Sequence, residues 1–270
     1  MKFGVSTFVT DESIAPDALG AALEERGFNS LYVTEHSHIP VSRETPFPGG
    51  VDLPPMYYRT FDPIVALTAA AVVTERLLLG TGIALIPQRD PILFAKELAS
   101  LDQVSGGRAI LGIGAGWNRE EMRDHGTDPR TRMALMRERV LAMKELWTQE
   151  KAEFHGKYVD FPPAYSWPKP LHPIPVIVGG WGPGTFDRVL EYGDGWFPYA
   201  ADPVVLAAAV SELRERAGRP LQIVLHAAPP EAKAVAAFTE AGVDEITFNL
   251  PVEPHDETLR SLDAMAELIG

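Results

Sequence analysis

Glu35, His36 and His38 bring a carboxylate and two imidazoles close together early in the chain. An imidazole titrates near neutrality, so His36 is a candidate to give or take a proton, with the Glu35 carboxylate beside it to orient the ring. The His-x-His spacing also suits a metal centre, but that needs further ligands and only His226 offers itself later, so no metal is expected. An idle loop histidine is the third reading. Glycine supplies the second signal, in Leu77–Pro91 (LLLGTGIALIPQRDP), in GIGAGWNREE from Gly112, and in VIVGGWGPGT from Val176. Glycine inside a strand marks a bulge or a close approach to the backbone. Gly112, Gly114 and Gly116 suit a flat ligand or tight strand–helix packing; the run resembles a dinucleotide fingerprint but lacks its spacing. Gly179, Gly180 and Gly182, followed by a helix near Gly184 and Thr185, suit an anion held by amides and a hydroxyl, or a plain loop.

Such residues must be positioned by elements, and the elements alternate. Short apolar runs predict strands over 3–8, 30–34, 77–85, 109–114, 176–179, 195–198, 222–226 and 245–249. Helical patterns follow over 16–26, 62–74, 91–104, 130–149, 184–192, 203–217, 231–241 and 257–269. In the fourth helix Met136, Val140, Met143 and Trp147 form an apolar stripe read as core. Eight strand–helix units predict an α/β fold, a (β/α)8 TIM barrel, as one domain over 1–270. A doubly wound sheet would want a glycine-rich turn after its first strand, where STFVTDES stands instead. Two segments break the rhythm, a loop after strand two (35–59) and a hairpin with a proline-rich run before strand five (152–175). Active sites of such barrels lie at the C-terminal strand ends. Those ends carry Ser6 and Thr7, Glu35 and His36, Thr81 to Ile83, Gly114 to Asn118, Gly179 to Trp181, Pro198 and Tyr199, His226, and Asn249. Met56, Tyr57, Tyr58 and Phe61 of the long loop are candidates to cover substrate or to make a dimer contact.

The chain has 270 residues, 46% of them apolar, enough for one large core. A net charge of −13 disfavours nucleic acid or an anionic membrane as partner and favours a small molecule. The absence of cysteine excludes thiolate catalysis and disulfides. The start MKFGVSTFVTDES does not read as a signal peptide, and no apolar run reaches spanning length, so a cytoplasmic protein is expected.

Nearly end to end, the sequence resembles the luciferase-like (bacterial luciferase-type) flavin and deazaflavin oxidoreductases. The resemblance is carried by GFNSLYVTEH at 27–36, LLLGTGIALIPQRDP at 77–91, LDQVSGGRAILGIGAGWNREE at 101–121, EFHGKYVDF at 153–161, PIPVIVGGWGPGT at 173–185 and GDGWFP at 193–198. Within that superfamily it is most similar to the actinobacterial branch using coenzyme F420. The resemblance implies hydride transfer between F420 and a small organic substrate, with FMN-dependent monooxygenation, or a flavin-binding protein without catalysis, as alternatives. It implies a non-prolyl cis peptide between Gly82 and Ile83 behind the ring and His36 with Glu35 near the reactive carbon. It implies coenzyme contacts from Ser6, Thr81, Gly82, Ile83, Gly114, Gly116, Trp117, Asn118, Gly179, Gly180, Gly182 and Thr185. For assembly, a homodimer is one candidate, and no oligomeric state follows from the sequence.

Overall fold

The computed structural model describes residues 1–50, 52–199 and 201–269. Its strands are β1 Lys2–Thr7, β2 Ser30–Val33, β3 Leu78–Thr81, β4 Ala84–Leu85, β5 Ala109–Gly114, β6 Ala152–His155, β7 Asp160–Ala164, β8 Val176–Gly179, β9 Gly195–Phe197, β10 Gln222–Ala228 and β11 Glu245–Asn249. Its helices are α1 Pro16–Glu25, α2 Pro63–Ala71, α3 Pro91–Ser105, α4 Arg119–Asp124, α5 Arg132–Thr148, α6 Pro183–Tyr192, α7 Pro203–Ala217, α8 Ala232–Glu240 and α9 His255–Ala266. Three helices start on the same dipeptide. Asp62, Asp90 and Asp202 each accept from two amides of the turn they precede, and proline follows where a first turn lacks no donor. Each cap stabilises its helix by about 1 kcal/mol. At the other end α3 and α7 stop on Gly106 and Gly218, both left-handed.

All pairs around the barrel are parallel, in the order β3, β2, β1, β11, β10, β9, β8, β5, and the ring closes where Leu79 and Gly80 of β3 face Ala109 and Ile110 of β5. Tyr32, Ile110, Ile177, Phe197 and Val224 fill the interior. A larger layer lies between strands and helices, where Leu31, Leu79, Leu111 and Val178 pack with Leu67, Phe94 and Val140. The stripe on α5 belongs to it, with Trp147 donating its indole N–H to the Ala95 carbonyl. The hairpin before the fifth barrel strand is β6–β7, antiparallel and outside the barrel. Among the described residues no helix is long and apolar enough to cross a membrane.

The predicted single strand over 77–85 is two strands. Gly80 faces Ile110 and Ala84 faces Ile113, so Thr81, Gly82 and Ile83 stand opposite only Leu111 and Gly112. One extra residue is a bulge. The peptide bond between Gly82 and Ile83 within it is cis, as is that between Trp167 and Pro168. The bulge also fixes a neighbour: a side chain at Gly112 would meet the Thr81 carbonyl oxygen at 2.1 Å, so that close approach requires glycine.

Candidate active site at the barrel mouth

The loop after β2 carries His36 into the mouth, where the residue is 6% exposed. Its Nδ1 lies 2.8 Å from Oε2 of Glu121, a fully buried carboxylate that also accepts from the Ser37 amide. The carboxylate that orients His36 is therefore Glu121 on α4 and not Glu35. Glu35 points the other way, accepting from the Leu85 amide at 2.6 Å and from Arg89 Nε at 2.6 Å. Arg89 also reaches Asp62 and Glu97. Burial disfavours its charge, but Glu35 and Asp62 outweigh that and raise its pKa above the ordinary arginine range. Glu35 is thus a strut between β4 and the start of α2, beside a cleft of about 370 Å³ that opens next to His36.

His38 turns away from the mouth, bonding Asp124 and, through Ser37, His125. Among the described residues no group of three or more His, Cys, Asp or Glu is arranged to hold a metal ion.

Across the mouth the bulge presents Ile83. Cβ atoms added to Gly114 and Gly179 would lie 2.3 Å from Ile83 Cδ1 and 3.3 Å from Ile83 Cγ2. Those two glycines, expected as bare backbone for a ligand, make the slot in which the Ile83 side chain rests. Thr81 is fully buried and donates to the Gly112 carbonyl, so its hydroxyl faces the barrel wall. Gly82 points inward, where a Cβ would meet Cβ of Tyr32 at 2.8 Å and Phe197 at 3.4 Å. Asn118 is buried, and its carbonyl oxygen caps α4 through the Glu121 amide. Gly116 allows the turn before it, with Trp117 5.8 Å from the His36 ring.

The third glycine run ends at the N-terminus of α6. Gly182 is the residue before the helix, at φ 91°, and nothing lies within 4 Å of where its side chain would project. Gly180 is held from below by the Trp196 indole, which donates to its carbonyl at 2.8 Å. The Thr185 hydroxyl is 1% exposed and already engaged, donating to the Trp181 carbonyl and accepting from Arg188. Pro183 has no amide hydrogen and the Thr185 and Phe186 amides bond to the Gly182 carbonyl, so among the described residues the buried Arg188 Nε is a donor left at this end, while the Thr185 hydroxyl is engaged internally.

Ser6 closes the floor. Its hydroxyl lies 2.8 Å from His226 Nδ1 and 3.1 Å from Thr247 Oγ1, joining β1, β10 and β11. Burial lowers the His226 pKa from 6.5 to about 4, which keeps the ring neutral. Phe197 and Tyr199 meet it edge-on, at 4.9 and 4.8 Å. Above, the long loop lays Tyr57 over His36 at 5.4 Å, flanked by Phe8 and Phe47. The Tyr57 phenol is pushed up by burial and by Tyr199, which faces it from across the mouth. Arg59 pins the loop through Asp11, and Thr60 donates to the His36 carbonyl.

Sequence reasoning missed Glu121 and Arg89. The spacing Asn118-x-x-Glu121 does announce a helix start, with the glutamate expected to cap it. Here the asparagine caps and the glutamate leaves for His36.

A family model described as luciferase-like monooxygenase matches residues 15–262. An uncharacterised protein of Mycobacterium tuberculosis is 40% identical over 276 residues, spanning 98% of either chain. An F420-dependent glucose-6-phosphate dehydrogenase of Kineococcus radiotolerans is 31% identical over 199 residues, which are 68% of this chain and 53% of that one. A solved F420-dependent secondary alcohol dehydrogenase, in complex with an F420-acetone adduct, shares the fold with a TM-score of 0.77, at 20% identity and covering 99% of this chain and 98% of that one.

Proposed function

The chain belongs to the luciferase-like monooxygenase family, and from that premise we propose that it is an F420-dependent oxidoreductase, moving a hydride between the deazaflavin and a small organic substrate. The observation that carries this reading is the His36–Glu121 pair, buried beside an apolar bulge at the barrel mouth. The relatives named for F420 favour this coenzyme over FMN.

The residues at the mouth fit a deazaflavin. Ile83 offers an apolar rest for a flat ring, and Arg188, behind Thr185 at the start of α6, offers a cation for a phosphate. An Arg188 Nε that is buried and without a partner among the described residues adds to that fit. When bound, the coenzyme supplies the hydride chemistry.

Protein groups then handle the proton. A carboxylate only accepts, so Glu121 selects the tautomer in which His36 Nδ1 carries hydrogen, leaving Nε2 to exchange a proton with substrate. Oxidation of an alcohol releases a proton from oxygen, and Nε2 takes it as the carbon loses hydride. Reduction of a carbonyl runs the same transfer backwards. Tyr57, Phe47 and Trp117 around the ring keep water from it.

Purified protein titrated with F420 and with FMN, followed by fluorescence, tests the assignment. F420 should bind tighter by about tenfold or more, or about 1.4 kcal/mol. Equal affinity, or FMN carried through purification, overturns it in favour of the FMN-dependent reading.

We also propose a homodimer. Supporting it, α2 bears no charged residue, and Val65 on it and Val72 just past its end are 63% and 67% exposed, continued by Ile92 and Leu93 of α3.

A further inference from the structure

The loop over the mouth holds an arginine that pairs with nothing. The sequence has 37 acidic residues against 24 basic ones, so a surface arginine finds a carboxylate easily. Among the described residues, only Arg43 and Arg119 of the arginines make neither a side-chain hydrogen bond nor an ion pair. Arg119 is exposed. Arg43 is different: its Nη1 is shut off from solvent and still has no acceptor. Its guanidinium carbon stands 5.8 Å from the centre of the Trp117 ring, on which it rests as a cation on a π face. The backbone reaches this position through a left-handed conformation, φ 52°, which a residue other than glycine seldom adopts.

Two acids at this part of the loop are already engaged. Glu44 pairs with Arg123, and Glu120 accepts from both the amide and the hydroxyl of Thr45. Arg43 as a whole is half-buried, and its guanidinium cannot shed its charge to relieve the enclosed Nη1. A donor held dry and unpaired costs stability unless a bound acceptor completes it. The Arg43 guanidinium carbon and the His36 ring each stand 5.8 Å from the centre of the same Trp117 ring, so a molecule in contact with His36 can extend along that indole towards Arg43.

We propose that Arg43 binds an anionic group, a carboxylate or phosphate, on the substrate whose reacting carbon lies at His36. The inference rests on the oxidoreductase reading and narrows it to substrates bearing an anion a short distance from the alcohol or carbonyl. The planar fork of arginine suits such a group bidentately. The coenzyme has its own phosphate, but the cation suited to that is Arg188 on α6, after barrel strand β8, and not in this loop.

The test uses the full chain, with inorganic phosphate and benzoate as probes and benzyl alcohol as the neutral control, at fixed ionic strength. Tryptophan emission reads binding, and Trp117→Phe identifies the reporting indole. The wild type should show saturable binding of both anions, absent for benzyl alcohol. Arg43→Gln should weaken the anions by about tenfold or more, with Arg43→Lys intermediate, and both Arg43 variants should keep the wild type's far-UV spectrum. A separate F420 titration of Arg43→Gln and Arg43→Lys should give an unchanged affinity. Anion binding that survives Arg43→Gln, or no saturable anion response in the wild type, overturns the proposal. So does an Arg43→Gln variant that loses F420 affinity, because the arginine then serves the coenzyme's own anionic tail. Failure of the oxidoreductase reading would appear elsewhere, as a wild type that binds no F420, while the anion arm is read without turnover or coenzyme.

Discussion

Nδ1 of His36 and Oε2 of Glu121 are 2.8 Å apart across 85 residues of sequence, both side chains closed off from solvent. The pair joins the end of β2 to the start of α4 and makes the imidazole a group with one free nitrogen. His36→Ala should therefore lower turnover by about 10²–10⁴ while leaving F420 affinity intact. Unchanged turnover with any accepted substrate would move the proton role elsewhere.

Glu121→Gln keeps the size of the side chain and its acceptor for the Ser37 amide, but adds an N–H that can face His36. That favours the tautomer with hydrogen on Nε2, which is the wrong one for taking a proton. Turnover in the alcohol-oxidising direction should fall by about tenfold or more with a small change in KM. Glu35→Gln should behave otherwise, loosening Arg89 and lowering the melting temperature more than it lowers kcat. Equal kcat losses in both variants would leave Glu121 with no special link to His36.

The contrast between those two carboxylates marks what the sequence could express. The barrel was legible because parallel strands buried on both faces read as apolar runs and the helices carry Asp-Pro starts and glycine stops. The family resemblance supplied the cis bond at Gly82–Ile83, and the structure has it. Glu35 was favoured as the partner of His36 because adjacency is all a sequence displays. Neighbouring residues at a strand end point apart, and Glu35 accordingly turns to Arg89. Gly114 and Gly179 were legible as places of close approach, but not that Ile83 would be the approaching group. Arg43 gave no signal, since an absent partner cannot be read from residue types.

His226 sets a pH dependence whose sign is fixed by its depressed pKa. The folded protein resists protonating it until about pH 4, whereas the unfolded chain takes the proton near 6.5. Between those values the unfolded state binds more protons, so stability falls as pH drops through this window and is unaffected above it. The full effect, reached below pH 4, is at most roughly 3 kcal/mol. Urea unfolding at pH 7 and pH 5 should show a drop for the wild type that is smaller in His226→Gln. Equal drops would mean that the ring titrates normally in the folded protein.

The charge-free face of α2 predicts an assembly that charge can break. Val65→Lys with Val72→Lys places two ammonium groups on a surface whose outward valines need no structural partner within the chain. If two copies meet there, each added lysine faces its symmetry mate's neighbourhood across an isologous contact. Light scattering should give a dimer for the wild type and a monomer for the double variant, with the far-UV spectrum retained. A wild type that runs as a monomer at micromolar concentration sinks the proposal.

The bulge gives a prediction in which two glycines on neighbouring strands separate. A side chain at position 82 meets the Cβ of Tyr32 at 2.8 Å, an atom fixed to the β2 backbone, with Phe197 close behind. Gly82→Val therefore overfills the barrel interior and should destabilise by about 1–3 kcal/mol, as overpacked cores do. F420 binding should also weaken, by about fivefold or 1 kcal/mol, because the bulge that carries Ile83 is displaced. At position 114 the first atom met is Cδ1 of Ile83, at 2.3 Å, the free end of a side chain that can rotate. Gly114→Ala should then shift Ile83 out of its slot with little loss of stability, and the cost should fall on F420 affinity. Thermal melts and coenzyme titrations of the two variants distinguish these effects. If Gly114→Ala leaves F420 affinity unchanged while its melting temperature drops as far as that of Gly82→Val, Ile83 is only core packing and the ring rests elsewhere.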